Sequence, residues 1–220
     1  AVRPAGEPIK GFGGVASGPK PLKKLHRSIR KYCEEFIKWN EGDEDALPDY
    51  DSVRLRADIM NAVGCCVVAG NVRRSAEISL APVSDSTFLD LKDYEKHPER
   101  AGIGWMSNNS VILETPEDFA KLGEIASRVI EKGEPGYFNA VNAKFGRLRV
   151  CKDDREWCPR TDYAIGLNPC GEVPLEDKEV CNIAETLPTN CDTVDEWLDA
   201  CEYAAIYCST VSLLPTSSAA

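Results

Sequence analysis

Histidine and long apolar runs are what this sequence has least of. Its 220 residues include two histidines, His26 and His97, and no Cys-x-x-Cys pair. Zinc sites built on such spacings are therefore disfavoured. No stretch reaches the roughly 18 consecutive apolar residues of a membrane-spanning helix, and the N-terminal stretch 1–8 lacks the apolar core of a signal peptide. The sequence predicts no metal, no membrane and a cytoplasmic location.

Acidic residues outnumber basic ones, 36 to 26, giving a net charge of −10. This balance disfavours nucleic acid and anionic membranes as partners. The apolar and charged fractions, 43% and 28%, are those of an ordinary globular protein. Ten cysteines are many, but without a signal peptide a disulfide framework is not expected. We interpret most of them as small buried apolar residues, Cys33 among them. The absence of an initiator Met suggests a piece of a longer protein.

Apolar spacing predicts helices that alternate with short strands. Such alternation indicates an α/β protein with a mostly parallel sheet or barrel. Thr115 and Pro116 mark a helix start, Gly133 a helix end, and Asp192 the cap of a last helix. The predicted helices cover 21–39, a stretch from about 51, 86–97, 116–132 and a stretch from 192. The predicted strands cover 65–69, 76–80, 102–113 with an interruption at 107–110, 180–187 and 210–214. The short aromatic stretch 136–139 is either a strand or the edge of a cleft.

One stretch, 167–175, carries an amide, a thiol and a carboxyl at alternate positions: Asn168, Cys170 and Glu172. In an extended backbone residues two apart share a side, so these groups are expected on one face of an extended loop. Cys181 follows eleven residues after Cys170. The residues alone allow a nucleophilic cysteine that needs a base, redox chemistry with Cys181, or a plain turn.

Two glycine-containing loops are candidate anion or base sites. The Gly/Pro-rich loop 1–20 contains Lys10, and its backbone N–H groups could hold a phosphate. The loop 69–76 contains an arginine pair; its candidate residues are Gly70, Asn71, Arg73 and Ser75. A surface connector and two solvated arginines explain these loops equally well.

The stretch Asn168-Pro169-Cys170-Gly171-Glu172, followed by Cys181-Asn182, resembles the active-site finger loop of ribonucleotide reductases. The short gap to Cys181 is similar to that of the adenosylcobalamin-dependent, class II enzymes, and the overall fit is to their monomeric ribonucleoside-triphosphate reductase type. Further matching stretches occur in the family's order across the chain. They are Arg3–Pro8, Gly11–Gly14, Ser17–Pro19, Val67–Ala76, Ser107–Ser110, Gly133–Gly136 and Thr210–Thr216.

The resemblance implies part of a ten-stranded α/β barrel over residues 1–220, with a central finger loop at 166–175. Cys170 would become a thiyl radical that removes the ribose 3′ hydrogen. Glu172 would take the 3′-hydroxyl proton, and Asn168 would hold the ribose hydroxyls. Cys181 would supply one of the two reducing thiols.

The resemblance also implies partners and limits. Adenosylcobalamin would be bound mainly by parts outside this chain, a ribonucleoside triphosphate or diphosphate would be the substrate, and thioredoxin or a similar dithiol the reductant. The loop 69–76 would link base identity to a deoxynucleotide effector, with Arg73 reading it and Lys10 touching its phosphate. The family's other reducing cysteine precedes the first residue here, so we expect the chain alone not to turn over.

Two alternatives to this interpretation stay open on the sequence. One is a class I large subunit that takes its radical from a separate protein; the short gap from Cys170 to Cys181 argues against it. The other is a non-catalytic, cysteine-rich module that binds zinc through Cys151, Cys158 or Cys191.

Overall fold

The computed structural model describes residues 2–11, 13–70, 74–146 and 163–214. The helices are α1 (Lys20–Glu41), α2 (Ser52–Val68), α3 (Ser86–Asp90), α4 (Pro116–Ala120), α5 (Leu122–Lys132), α6 (Ala140–Gly146) and α7 (Val194–Ser212). The strands are β1 (Glu77–Pro82), β2 (Ser107–Leu113), β3 (Gly136–Asn139), β4 (Gly166–Leu167) and β5 (Pro174–Leu175). No helix among these is long and apolar enough to cross a membrane.

The first two helices pack against each other. Local capping residues mark the end of α1 and the start of α2. Gly42, at φ 72°, ends α1, as a left-handed residue commonly does. The Asp51 carboxylate caps α2 by accepting from the backbone N–H groups of Val53 and Arg54 at 2.8 and 3.0 Å. The strand predicted at 65–69 is wrong, because α2 continues through Val68. A short apolar run has no period of its own, and here it forms the last turns of a helix.

The three longer strands form a parallel sheet in the order β1-β2-β3. The strand predicted at 76–80 is confirmed, the stretch 136–139 is a strand, and β2 includes Ser107–Ser110 without interruption. The strand predicted over 102–106 is wrong, because Gly104–Met106 form a 3₁₀ turn. The start of α4 is also confirmed: the Thr115 hydroxyl accepts from the Asp118 N–H, the Asp118 carboxylate accepts from the Thr115 N–H, and Pro116 follows the cap. Gly133, at φ 80°, ends α5.

The two faces of this sheet are covered by different elements. On one face, Val111 and Leu113 of β2 pack with Phe88, Leu91 and Ile125 from the helices. On the other face, side chains of alternate residues pack against the hairpin formed by β4 and β5. Their cluster contains Leu80, Ile112, Phe138, Ala140, Ala143 and Leu167. Helices α3 and α5 therefore lie on one side of the sheet, and the hairpin lies on the other side together with α6.

The last part of the described chain differs from the prediction. No strand occurs at 180–187, and α7 runs through Ser212 where a strand at 210–214 was expected. The cap of α7 is Thr193, whose hydroxyl accepts from the Glu196 N–H at 3.1 Å, rather than Asp192. The β-branched residues near 211 suggested a strand. They instead form the last turn of α7, because the conformation of the long helix overrides their local preference.

The described residues thus form a mixed α/β fold with a parallel sheet, as expected. The short helix predicted at 86–97 ends earlier, at Asp90. None of the cysteines that the structure describes is fully buried, so the expectation that most are buried apolar residues is wrong for them, and Cys33 is exposed. On α1 it lies next to the half-buried residues Ile29, Tyr32 and Phe36 but is itself exposed to solvent.

Candidate active-site turn

The stretch that carries Asn168, Cys170 and Glu172 is the tip of a β-hairpin, not an extended loop. Strands β4 and β5 pair in an antiparallel manner, Gly166 with Leu175 and Leu167 with Pro174. The chain then reverses, because the N–H of Gly171 donates to the carbonyl of Asn168 at 2.9 Å. Gly171 takes φ +85°, which glycine adopts without strain. We call residues 168–172 the thiol turn.

The turn is held from inside by the Asn168 side chain. Its Nδ2 donates to Glu172 Oε1 at 2.6 Å, and its Oδ1 accepts from the Val173 N–H at 2.9 Å. Asn168 is 3% exposed, so its amide group, which makes both bonds, is shielded from water. A bond from an amide to a carboxylate is charge-assisted and stronger than a neutral one. The amide therefore fixes the carboxylate through one of its two Nδ2 hydrogens.

Cys170 is exposed at the apex of the thiol turn, where a reaction partner can reach its sulfur. The carbonyl of the preceding residue, Pro169, accepts from Asn108 Nδ2 of β2 at 2.8 Å. Neither histidine of the chain assists this thiol: His26 lies on α1 and the His97 ring is bonded to Arg54. A thiol activated by an imidazole base is therefore disfavoured for this site.

Cys181 lies between the hairpin and α7 and is half-buried. The residues that follow it lie against α7: Asn182 Nδ2 donates to Ser212 Oγ at 2.6 Å, and Trp197 Nε1 donates to Thr186 Oγ1 at 3.2 Å. Cys170 and Cys181 are both free thiols here. The structure joins Asn168 and Glu172 by direct contact and leaves Cys181 on a separate segment.

The two predicted loops meet in space. Residues 6–9 pair with residues 14–16, with an isolated bridge between Pro8 and Val15, and Lys10 is exposed just after the first of these segments. A Cβ on Gly70 would lie 2.9 Å from the Ser17 Cβ, so the loop 1–20 touches the start of the loop 69–76. Ser75 is half-buried at its other end. Asn71 and Arg73 lie outside the described residues.

A buried charged cluster that was not predicted from the sequence joins α2 to Arg100. Arg54, Asp58 and Arg100 are each at most 2% exposed. Arg100 Nε donates to Asp58 Oδ1 at 2.7 Å, and Arg54 Nη1 lies 3.0 Å from His97 Nδ1. Burial and the neighbouring arginine lower the pKa of His97. Arg54 and Asp58 are four residues apart, so a polar pair on an otherwise apolar helical stripe was the available signal.

Metal binding finds no support in the parts of the chain that the structure describes: no group of three or more His, Cys, Asp or Glu side chains there could hold an ion. Cys191 is half-buried, and its thiol contacts the Leu187 carbonyl at 3.8 Å. Cys151 and Cys158, the other zinc candidates, lie outside the described residues.

Sequence comparisons place the chain among the homologues of ribonucleotide reductases. It is 40% identical over 215 residues to the "Adenosylcobalamin-dependent ribonucleoside-triphosphate reductase" of Euglena gracilis, which covers 97% of this chain and 27% of the relative. It is 38% identical over 213 residues to the "Probable adenosylcobalamin-dependent ribonucleoside-triphosphate reductase" of Dictyostelium discoideum, covering 97% and 26%. The protein of the first of these names from Lacticaseibacillus paracasei is 38% identical over 188 residues, covering 85% and 23%.

The chain is thus homologous to a fragment of the adenosylcobalamin-dependent ribonucleoside-triphosphate reductases. It spans about a quarter of the length of the curated relatives that it matches. No protein-family model and no solved structure matches it.

Proposed function

We propose that this chain forms part of the catalytic barrel of a cytoplasmic reductase that converts ribonucleoside triphosphates into 2′-deoxyribonucleotides. The observation that carries the proposal is the thiol turn, which exposes Cys170 while Asn168 holds the Glu172 carboxylate at 2.6 Å. Its position on the face of the parallel sheet opposite α3 and α5 supports a ten-stranded barrel with the hairpin as its central finger. The loops 1–20 and 69–76 would then serve nucleotide recognition.

Adenosylcobalamin, held by other parts of the protein, would supply the radical through homolysis of its cobalt–carbon bond. The exposed sulfur of Cys170 fits such a partner, because nothing in the described chain covers it. As a thiyl, Cys170 would remove the 3′ hydrogen of the ribose. The Glu172 carboxylate, already a hydrogen-bond acceptor, would take the 3′-hydroxyl proton, a contribution typically of about 10²–10⁴-fold.

The remaining steps need two reducing thiols. Water leaves from C2′, and two thiols are oxidised to a disulfide as the sugar is reduced, so the electrons balance. Cys181 would be one of these thiols, and a thioredoxin-type dithiol would restore it. Asn168 would hold the ribose hydroxyls by hydrogen bonds. A deoxynucleotide effector would act through Gly70, Asn71, Arg73 and Ser75, with Lys10 at its phosphate.

The decisive experiment replaces Cys170 by serine in the full-length natural protein. Serine keeps the size of the side chain but cannot form the thiyl, so ribonucleotide reduction should be lost. Cys33→Ser is the matched control, because Cys33 is also an exposed free thiol but lies on α1. Retained reduction in Cys170→Ser refutes the proposed role. Multiple turnover by the isolated 220-residue chain with cobalamin and dithiol would contradict the expectation that it needs further parts.

A further inference from the structure

The thiol turn has a polar attachment to the sheet that the proposed chemistry does not use. Asn108 is the second residue of β2, and its Nδ2 donates to the carbonyl of Pro169 at 2.8 Å. That carbonyl belongs to the peptide bond between Pro169 and Cys170. The hydrogen bond therefore acts on the backbone group directly before the thiol-bearing residue, although the two partners are 61 positions apart in the chain.

Other hairpin contacts among the described residues lie before the tip or within the hairpin itself. Leu167 packs into the apolar cluster with Phe138, but it lies on β4, before the turn begins. The bonds of Asn168 to Glu172 and Val173 lie within the hairpin and move with it. Among the described residues, the Asn108 bond is the hydrogen bond that connects residues of the thiol turn to the sheet.

We propose that Asn108 is a positioning residue for Cys170: it fixes the thiol turn on β2 and thereby sets where the sulfur meets its reaction partners. This inference rests on the proposed function of Cys170. The register adds a reason, because Ile78 of β1 lies beside Asn108, and β1 follows directly on the loop 69–76. Strand β2, which binds the thiol turn through Asn108, is therefore paired with β1, the strand that follows the loop 69–76.

The effect of Asn108 on the position of Cys170 can be separated experimentally from any effect on the stability of the fold. Asn108 is exposed, and an exposed hydrogen bond of this kind contributes little to global stability. A misplacement of a reacting group by about 1 Å can nevertheless lower a rate by about 100-fold. Loss of the Asn108 bond should therefore lower turnover far more than it lowers resistance to denaturation.

The test uses variants of the full-length natural protein. Asn108→Ala and Asn108→Asp both remove the donor, and Asn108→Gln keeps it. In the first two, kcat for ribonucleotide reduction should fall about 10–100-fold with KM and the urea midpoint near those of the unmodified protein. The Gly171 amide should exchange with solvent about 5-fold faster, the effect of one lost hydrogen bond. Asn108→Gln should recover most of the kcat.

The matched control is Asn40→Ala. Asn40 is also exposed, and its Nδ2 donates to the Phe36 carbonyl at the same 2.8 Å, but within α1. It should change neither kcat nor exchange at Gly171. Unchanged kcat and exchange in Asn108→Asp would overturn the proposal, as would an equal loss in Asn108→Gln. If the natural protein reduces no ribonucleotide, the proposed function fails, while the exchange rates alone still decide whether Asn108 holds the turn.

Discussion

Replacing Asp58 by asparagine should be among the most costly single changes in this chain. The Asp58 carboxylate accepts from Arg100 Nε at 2.7 Å and from the Tyr50 hydroxyl at 2.8 Å, and it lies 3.9 Å from Arg54 Nε. Arg54 has a second carboxylate partner, Glu99. Arg100 has no second carboxylate partner among the described residues: its further acceptors are the Leu91 carbonyl and the Asn61 amide oxygen.

Asparagine keeps the shape of Asp58 but removes its charge. The Arg100 guanidinium, 1% exposed, would then be buried without a carboxylate. Breaking a buried ion pair in this way costs about 3–5 kcal/mol of unfolding free energy. A domain is typically stable by about 5–15 kcal/mol, so this is a large part of the total. Urea unfolding followed by fluorescence of the four tryptophans measures it by linear extrapolation.

The control for Asp58→Asn is Glu114→Gln, at a surface pair. Glu114 lies 3.3 Å from Lys144, with the two side chains 54% and 43% exposed, so its loss should cost at most about 1 kcal/mol. Asp58→Asn combined with Arg100→Met should recover stability, since an apolar side chain needs no counter-charge. A loss below about 1 kcal/mol for Asp58→Asn would refute the reasoning.

Two further predictions concern α2 and its surroundings. The pKa of His97 lies below its ordinary value of 6.5 because of burial and the charge of Arg54. In acid the unfolded chain therefore binds a proton that the folded chain does not, and the unfolding free energy should fall as pH drops below 6.5. Gly64→Ala should destabilise the chain, because the new Cβ would lie 2.3 Å from Glu77 Oε1 and 2.5 Å from Met106 Cγ. Overpacking of this kind costs about 1–3 kcal/mol.

Both predictions have internal controls. His97→Gln should flatten the dependence of unfolding free energy on pH near 6.5, and His26→Gln, at an exposed position of α1, should leave it in place. An unchanged slope in His97→Gln contradicts the assignment. Gly123→Ala, in α5, meets open space and should gain up to about 1 kcal/mol of helix propensity. Equal effects of the two alanine substitutions in urea unfolding would contradict the packing argument.

Local chemistry made several elements predictable. Thr115, Pro116 and Gly133 carry their start and stop signals within a few residues, so the helices between them were found from the sequence. The apolar spacing of α1 was long enough to identify it. The run at 65–69 and the stretch near 211 were assigned to strands in error, because short apolar or β-branched segments take the conformation of the helix that they end.

By itself, the sequence determined the residues of the candidate site and the family to which this chain is homologous, since both depend on residue identity and order. Only the tertiary structure decided how those residues meet. It turned the expected extended loop into a hairpin tip, brought the Asn168 amide to the Glu172 carboxylate, and placed Asn108 against Pro169. Contacts between positions 61 apart depend on how the sheet and hairpin pack, and no local pattern of residues encodes that distance.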